Sequence, residues 1–180
     1  MRTAGTDTEL RLVETADDDR SLGGIYRRYG RYVAAVILRL DGRSAELEDL
    51  VQDVFLVAAR GIAQVRDPAA IKGWLATIAV RTVRKRLLRR RARRFLGLDA
   101  SAGYENLVDP AASPVERVLI ASIFRLLDEM PVADRLAFSL RYIQGETVEQ
   151  VAELTGCSLA TANRRIARTL RTLEKRMADG

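Results

Sequence analysis

The sequence predicts an all-α protein: two small helical domains joined by a flexible linker, the C-terminal one containing a helix-turn-helix. Three observations predict it. Apolar residues recur at three- and four-residue spacing on both sides of residues 97–113. The stretch between them, GLDASAGYENLVDPAAS, loses that period and is small, polar and acidic, as a linker is. Helix-capping residues stand at the expected starts, and glycines follow the expected ends.

The elements follow in order. Ile25, Tyr29, Tyr32, Val33, Val36, Ile37 and Leu40 outline a first amphipathic helix ending at Asp41-Gly42. A second helix is predicted over about Ala45 to Ala59, with Leu47, Leu50, Val51, Val54, Phe55, Val57 and Ala58 forming its apolar face. Gly61 to Asp67 reads as a short loop, and Asp67-Pro68 caps a long helix that points Ile71, Trp74, Leu75, Ile78 and Val83 inward. The run RTVRKRLLRRRARR, residues 81–94, holds nine basic residues and continues that helix without a Gly or Pro. It is therefore a helical face rather than a free tail.

After the linker, Ser113-Pro114-Val115-Glu116 combines a cap, a first-turn proline and a returning glutamate. Helices are predicted over about 114–129 and 132–143. Thr147 to Gln150 is a capping box opening a short helix to about Leu154; Thr155-Gly156-Cys157 turns the chain, and Ser158 caps the last helix. A short helix, a tight turn with Gly and a longer helix make a helix-turn-helix. Its second helix is expected to bury Leu159, Ala162, Ile166, Leu170 and Leu173. Ala160, Thr161, Asn163, Arg164, Arg165 and Arg168 then face outward, where a recognition helix meets base edges and phosphates. The domain boundaries read 1–20 as an unassigned extension, 21–96, 97–113 and 114–180.

Composition narrows the function. Of 180 residues, 30 are basic, 24 acidic and none is histidine; one is cysteine. Without histidine there is no imidazole base and no Ser-His or Cys-His nucleophile, and a lone cysteine argues against structural zinc and internal disulfides. No Gly-rich phosphate loop or plausible metal-binding carboxylate pair is visible, and Asp17-Asp18-Asp19 reads as a solvated helix start. No enzyme, cofactor or small-molecule substrate is expected. The longest uncharged apolar run, Tyr32 to Leu38, is too short to cross a bilayer, and nothing after Met1-Arg2 resembles a leader peptide, so a cytoplasmic location and no membrane insertion are expected. Charge is uneven. Residues 1–96 carry 20 basic and 12 acidic side chains, residues 97–113 none and three, and residues 114–180 ten and nine. The excess in the first part points to a polyanion partner.

Two stretches carry a resemblance. DLVQDVFLVAAR (Asp49–Arg60) with IKGWLATIAVRTVRKRLLRRRARR (Ile71–Arg94) resembles regions 2.2 to 2.4 of bacterial extracytoplasmic-function sigma factors. RLAFSLRYIQGETVEQVAELTGCSLATANRRIARTLRTLEKRM (Arg135–Met177) resembles region 4 of that family. The resemblance implies a subunit that binds core RNA polymerase, recognises the minus-35 and minus-10 elements of promoter DNA and opens it, with an anti-sigma factor as a further partner. Carried over by position, Asp49, Gln52 and Asp53 match the polymerase-docking surface; solvated polar positions are the plain alternative. Arg66, Arg81, Arg84, Lys85 and Arg89 become the expected minus-10 contacts, with Arg89 to Arg94 holding phosphates. Thr161, Asn163, Arg164, Arg165 and Arg168 match the minus-35 surface. Many relatives carry Lys-Ser where this chain has Asn163-Arg164, and Arg-Asn where it has Val80-Arg81, which implies different promoter preferences. The resemblance also implies that linker acids Asp99, Glu105 and Asp109 follow the path of RNA; an ordinary solvated linker is the alternative.

Trp74 stands at the family's Trp position, yet its spacing with Ile71, Leu75 and Ile78 puts it in the core. Cys157 reads as a small turn residue. The competing functions are a stand-alone helix-turn-helix regulator acting without core polymerase, a helical adaptor for acidic proteins or membrane surfaces, and a nucleic-acid-processing enzyme. The first leaves Asp49–Phe55 and the basic helix without a joint purpose, the second predicts no sequence preference on DNA and no loss on changing Asn163 or Arg165, and the third needs a carboxylate cluster the sequence lacks. Whether the two domains lie apart or pack together is left open by the sequence.

Overall fold

A computed structural model describes residues 21–43, 45–98, 104 and 113–179. The extension 1–20, with Asp17–Asp19, and the linker acids Asp99, Glu105 and Asp109 lie outside the described residues. Among the described residues the regular structure is helical throughout.

Helix α1, Leu22–Asp41, starts where Ser21 Oγ accepts a hydrogen bond from the Gly24 amide and ends at Gly42, whose φ of 74° is the left-handed stop that glycine accepts without strain. Helix α2, Leu47–Gly61, lies two residues later than its sequence pattern predicts at each end. Asp67 caps a 3-10 turn, Pro68–Ala70, which leads into α3, Ile71–Phe95. The basic run is thus continuous with the buried part of α3, as expected.

In the second half, α4 is Pro114–Glu129, opened by a complete Ser113/Glu116 capping box. The helix expected over 132–143 begins as α5, Val132–Phe138, and loosens into wide π-type turns over Ser139–Gln144 before Gly145 stops it. Helix α6, Val148–Thr155, carries the Thr147/Gln150 capping box. Gly156 turns the chain at φ 66°, and Ser158 caps α7, Leu159–Ala178.

The two helical units pack against each other. One core joins Val33, Ile37, Leu40, Val54, Leu75 and Val83 of the first to Leu136, Leu140, Val151, Ala162 and Ile166 of the second. Leu136 and Leu140 are 1% and 0% exposed, and burying each side chain contributes on the order of 1.5–3 kcal/mol. Helix α3 touches α5 and α6, while α1 touches the Ser139–Gln144 turns.

Polar contacts close the seam between the units. Arg135, 2% exposed, donates to the carbonyls of Leu40 and Asp41, satisfying the end of α1 from the other unit, and pairs with Asp128. Asp128 also accepts from Arg43 at 2.8 Å and from the hydroxyl of Tyr104. Tyr104 stacks on Phe124 with ring centroids 5.6 Å apart. Gly42 lies flat beneath Phe124, and a Cβ there would run into the ring.

Three inward assignments need correction. Val57 is 49% exposed because it stands at the edge of the face made by Val51, Val54, Phe55 and Ala58. Leu159 is 46% exposed, since it occupies the first position of α7 beside the turn. Leu170 is only half-buried, and Thr169 takes the fully buried place beside it.

Candidate polymerase and nucleic-acid interfaces

Asp49, Gln52 and Asp53 recur at three- and four-residue intervals, so they form one ridge on the outside of α2, and all three are exposed. On one side of the ridge is an open groove of about 920 Å³ between α1 and α2, reached by Asp49, Gln52, Tyr26, Phe55 and Leu56. On the other side, Asp49 and Asp53 face Arg81, Lys85 and Arg89 of α3 across a cleft. The spacing argument missed the apolar part of this surface. Tyr26, Leu56 and Val57 are 51%, 54% and 49% exposed. A contiguous patch of that kind beside carboxylates is what a protein partner covers. The over-wide apolar face of α2 was the available signal.

The basic helix α3 divides by direction. Arg81, Arg84, Lys85 and Arg89 are exposed. Arg81 stands on the crest between two clefts, with Lys85 and Arg89 on the α2 side and Arg84 towards the second unit. Arg66 lies exposed in the loop before the Asp67 cap.

The expectation that Arg89 to Arg94 all hold phosphate is corrected. Arg90 is 4% exposed and grips both carboxylate oxygens of Asp41 at 2.6 and 2.8 Å. Arg91 donates to the Met130 carbonyl and Arg94 to that of Asp128, so both hold the second unit. Six successive helical positions point in every direction around the axis, so the helix turns some of these side chains inward.

Trp74 is half-buried and packs on the core, with Gly61 directly against its ring edge. It also lines a cleft of about 650 Å³ with Tyr32, Lys72, Thr77, Glu146 and Glu153. Burial, and then the charge of Glu146, push the Tyr32 hydroxyl upward.

On α7 the outward set is only partly together. Asn163 and Arg164 are exposed, and Arg164 donates to Thr161 Oγ1 at 3.2 Å. Thr161 is itself tied to the Ser158 cap. Arg165 is half-buried and turns into a cleft of about 230 Å³ shared with Arg81, Arg84 and Glu153. Arg168 donates to the buried carboxylate of Asp134 at 2.6 Å, and that bond holds its guanidinium above the ordinary arginine range. Cys157 is half-buried in the turn, 3.2 Å from Thr155 Oγ1.

The arrangement offers a carboxylate-and-apolar ridge and two basic helical surfaces. Among the described residues, no three histidine, cysteine, aspartate or glutamate side chains come together as metal ligands, and no helix is long and apolar enough to cross a membrane.

Comparison with known proteins decides between the readings of this geometry. The model for Sigma-70 region 2 matches residues 25–97, and that for Sigma-70 region 4 matches residues 120–173. The chain belongs to the extracytoplasmic-function sigma factors. As a sigma factor it acts with RNA polymerase. The matched regions correspond to the two helical units, with the unmatched residues 98–119 between them.

Relatives of this sigma factor include the "Probable RNA polymerase sigma factor RfaY" of Xanthomonas campestris, 29% identical over 86% of this chain; the chain spans 41% of that protein's length. The RNA polymerase sigma-H factor of Pseudomonas aeruginosa and the ECF RNA polymerase sigma-E factor of Escherichia coli are each 24% identical over 94% of this chain, which spans 93% and 94% of them. The fold is shared with CnrH, solved in complex with the cytosolic domain of CnrY, at a TM-score of 0.61 and 22% identity over 97% of this chain and 99% of that one. It is also shared with RpoE of Bartonella quintana, solved with the anti-sigma factor NepR, at a TM-score of 0.63 and 21% identity over 83% and 92%.

Proposed function

We propose that this sigma factor docks core RNA polymerase through the α2 ridge of Asp49, Gln52 and Asp53 and directs it to promoters. In this reading, Arg66, Arg81, Arg84, Lys85 and Arg89 engage the minus-10 element. Thr161, Asn163, Arg164, Arg165 and Arg168 engage the minus-35 element. The observation that carries it is the pairing of an exposed acidic and apolar ridge on α2 with exposed basic residues on α3 and α7. A protein partner and a polyanion partner are thereby presented with separate surfaces.

The division of labour follows from chemistry. Arginine guanidinium groups on α3 neutralise phosphates and give salt-dependent affinity, while Asn163 and Arg165 on the recognition helix can bond base edges in the major groove. Melting follows from holding an unstacked base near the Gly61–Asp67 loop, which the rigid start of α3 backs. The sigma factor performs no catalysis of its own, works in the cytoplasm where the polymerase is, and takes no cofactor. An anti-sigma factor is a further partner, as NepR is of RpoE. The domain limits 21–96 and 114–180 are those of the two functional units.

Run-off transcription with purified core polymerase and a promoter library tests the reading. Transcription should start only when the sigma factor is added and only from sequences sharing two elements. A regulator acting alone would instead bind its DNA with the same preference whether or not core polymerase is present.

A further inference from the structure

We propose that Asp134 is a positioning residue for promoter recognition: it holds the guanidinium of Arg168 in one orientation on the recognition helix and turns that arginine towards base edges rather than phosphates. This rests on the reading that Arg168 engages the minus-35 element and adds what governs that contact. Asp134 lies in the first turn of α5 and Arg168 near the middle of α7, so the pair is made within the second unit. The Asp134 side chain is 3% exposed and that of Arg168 62%, and Arg168 Nη2 donates to Asp134 Oδ1 at 2.6 Å. One end of the guanidinium is thus anchored on a buried charge while the rest faces solvent.

The carboxylate is dedicated to this one arginine. A buried charge is costly unless it is paired, and Arg168 is the cation paired with Asp134 among the described residues. Arg176, which lines the same cleft, pairs instead with Glu129 at 3.4 Å, and both of those side chains are more than half exposed. Arginine carries five N–H donors in a planar fork, so one bond to Asp134 leaves four. Among the described residues the Arg168 side chain spends none of those four. Its neighbours on α7 are held differently. Arg164 donates to the neutral hydroxyl of Thr161 on its own helix at 3.2 Å, and Arg165 forms no ion pair among the described residues.

Anchoring acts in two ways. It fixes side-chain rotamers that a free arginine must give up on binding, which strengthens contact with a correctly placed acceptor. It also sets a negative charge behind the guanidinium. A phosphate responds to net charge and is held less firmly for that reason, whereas the neutral acceptors of a base edge are recognised by direction. The first effect favours the right sequence and the second disfavours all others, so both widen the gap between them.

The test uses the full chain assembled with core polymerase and measures binding, over a range of salt, to a promoter, to that promoter with each minus-35 base pair changed in turn, and to one with the element scrambled. Asp134→Asn keeps the shape and a weaker acceptor for Arg168 but loses the charge. It should weaken binding to the intact promoter about threefold and strengthen binding to the scrambled one about threefold, cutting the ratio about tenfold. The lost preference should fall at the base pairs that Arg168→Gln also affects. Arg168→Gln can still donate to Asp134 and so does not strand the buried carboxylate. Once Arg168→Gln is in place, adding Asp134→Asn should change the ratio no further, because Asp134 acts through Arg168. A residue that merely held α5 on α7 would lower both affinities together, with or without Arg168. An unaltered ratio in Asp134→Asn would overturn the proposal, and so would an equal change in both backgrounds. If Arg168→Gln leaves the minus-35 preference and the salt dependence as they were, Arg168 does not touch the promoter, and the underlying reading fails together with the positioning role.

Discussion

The two arginine-rich helices, α3 and α7, use their arginines differently. On α3 the run Arg81–Arg94 is divided along its length. The first turns present Arg81, Arg84, Lys85 and Arg89 to solvent, whereas Arg90 is buried on Asp41 and Arg91 and Arg94 bind carbonyls of the second unit. On α7 the division is around the helix: Asn163 and Arg164 face out, Arg165 faces α3, and Arg168 is tied to Asp134. A count of positive charge therefore overstates the free basic surface of both helices, for different reasons. Position on the helix decides whether a cation stabilises the fold or meets a ligand.

The sharpest way to break this comparison is the adjacent pair Arg89 and Arg90. Arg90→Ala strands the Asp41 carboxylate in the core and should cost about 3–5 kcal/mol in urea denaturation, the cost of leaving one partner of a buried ion pair. Equal losses at Arg89 and Arg90 would show the two to be interchangeable, against the burial difference. The α2 ridge comes next. Asp49→Lys with Asp53→Lys should weaken association with core polymerase by about 2 kcal/mol or more, roughly thirtyfold, with no change in thermal stability. Unaltered association would remove the ridge from the interface.

On α7, Arg165→Ala should change which base is preferred within the minus-35 element, by about 1–3 kcal/mol, in a binding assay across a promoter library. Arg89→Ala should do something different and smaller. Stability should stay within about 0.5 kcal/mol, while affinity falls evenly across sequences and the salt dependence drops by about one phosphate contact.

The smallest effect expected is that of pH on the seam. Burial by itself raises the Asp128 carboxyl, but Arg135, the Tyr104 hydroxyl, Arg43 and Arg94 outweigh it and hold it below the ordinary carboxylate range. A carboxyl depressed in the folded state contributes stability above its unfolded value, about 3.9, and loses it as pH falls through the folded value. Stability from the seam should therefore weaken only in that acid range, and Asp128→Asn should remove the dependence in pH-dependent urea denaturation; a loss centred near neutral pH would point to another group.

Much of the fold was legible because local chemistry decided it. Asp67, Ser113, Thr147 and Ser158 cap where the sequence places them, and Gly42, Gly145 and Gly156 stop or turn the chain in the left-handed region. What was not legible came from contacts distant in sequence. Arg90 and Arg91 look alike in the run, and only the positions of Asp41 and Met130 separate them. Helical period alone placed Leu159 and Val57 inside, because periodicity does not say where the neighbouring helix ends. The α2 ridge was found by its polar residues, while its exposed Leu56 and Val57 were hidden in an apolar face that looked like core. The seam itself had no local signature: Arg135, Asp128 and Tyr104 are unremarked in sequence and meet only when the units pack.

The Ser113 capping box has a consequence for how weak that seam can be. It fixes the start of α4, while α3 runs to Phe95, so the two units are joined covalently across the 17 residues from Leu96 to Ala112. A connection of that size gives each unit an effective concentration of the other on the order of 1 mM. A contact whose separate halves would associate with a Kd of about 0.1 mM is then closed about nine-tenths of the time, although the same halves cut apart would scarcely meet at micromolar concentration. The covalent join therefore lets the two units stay packed through contacts that would be too weak to hold separate halves together.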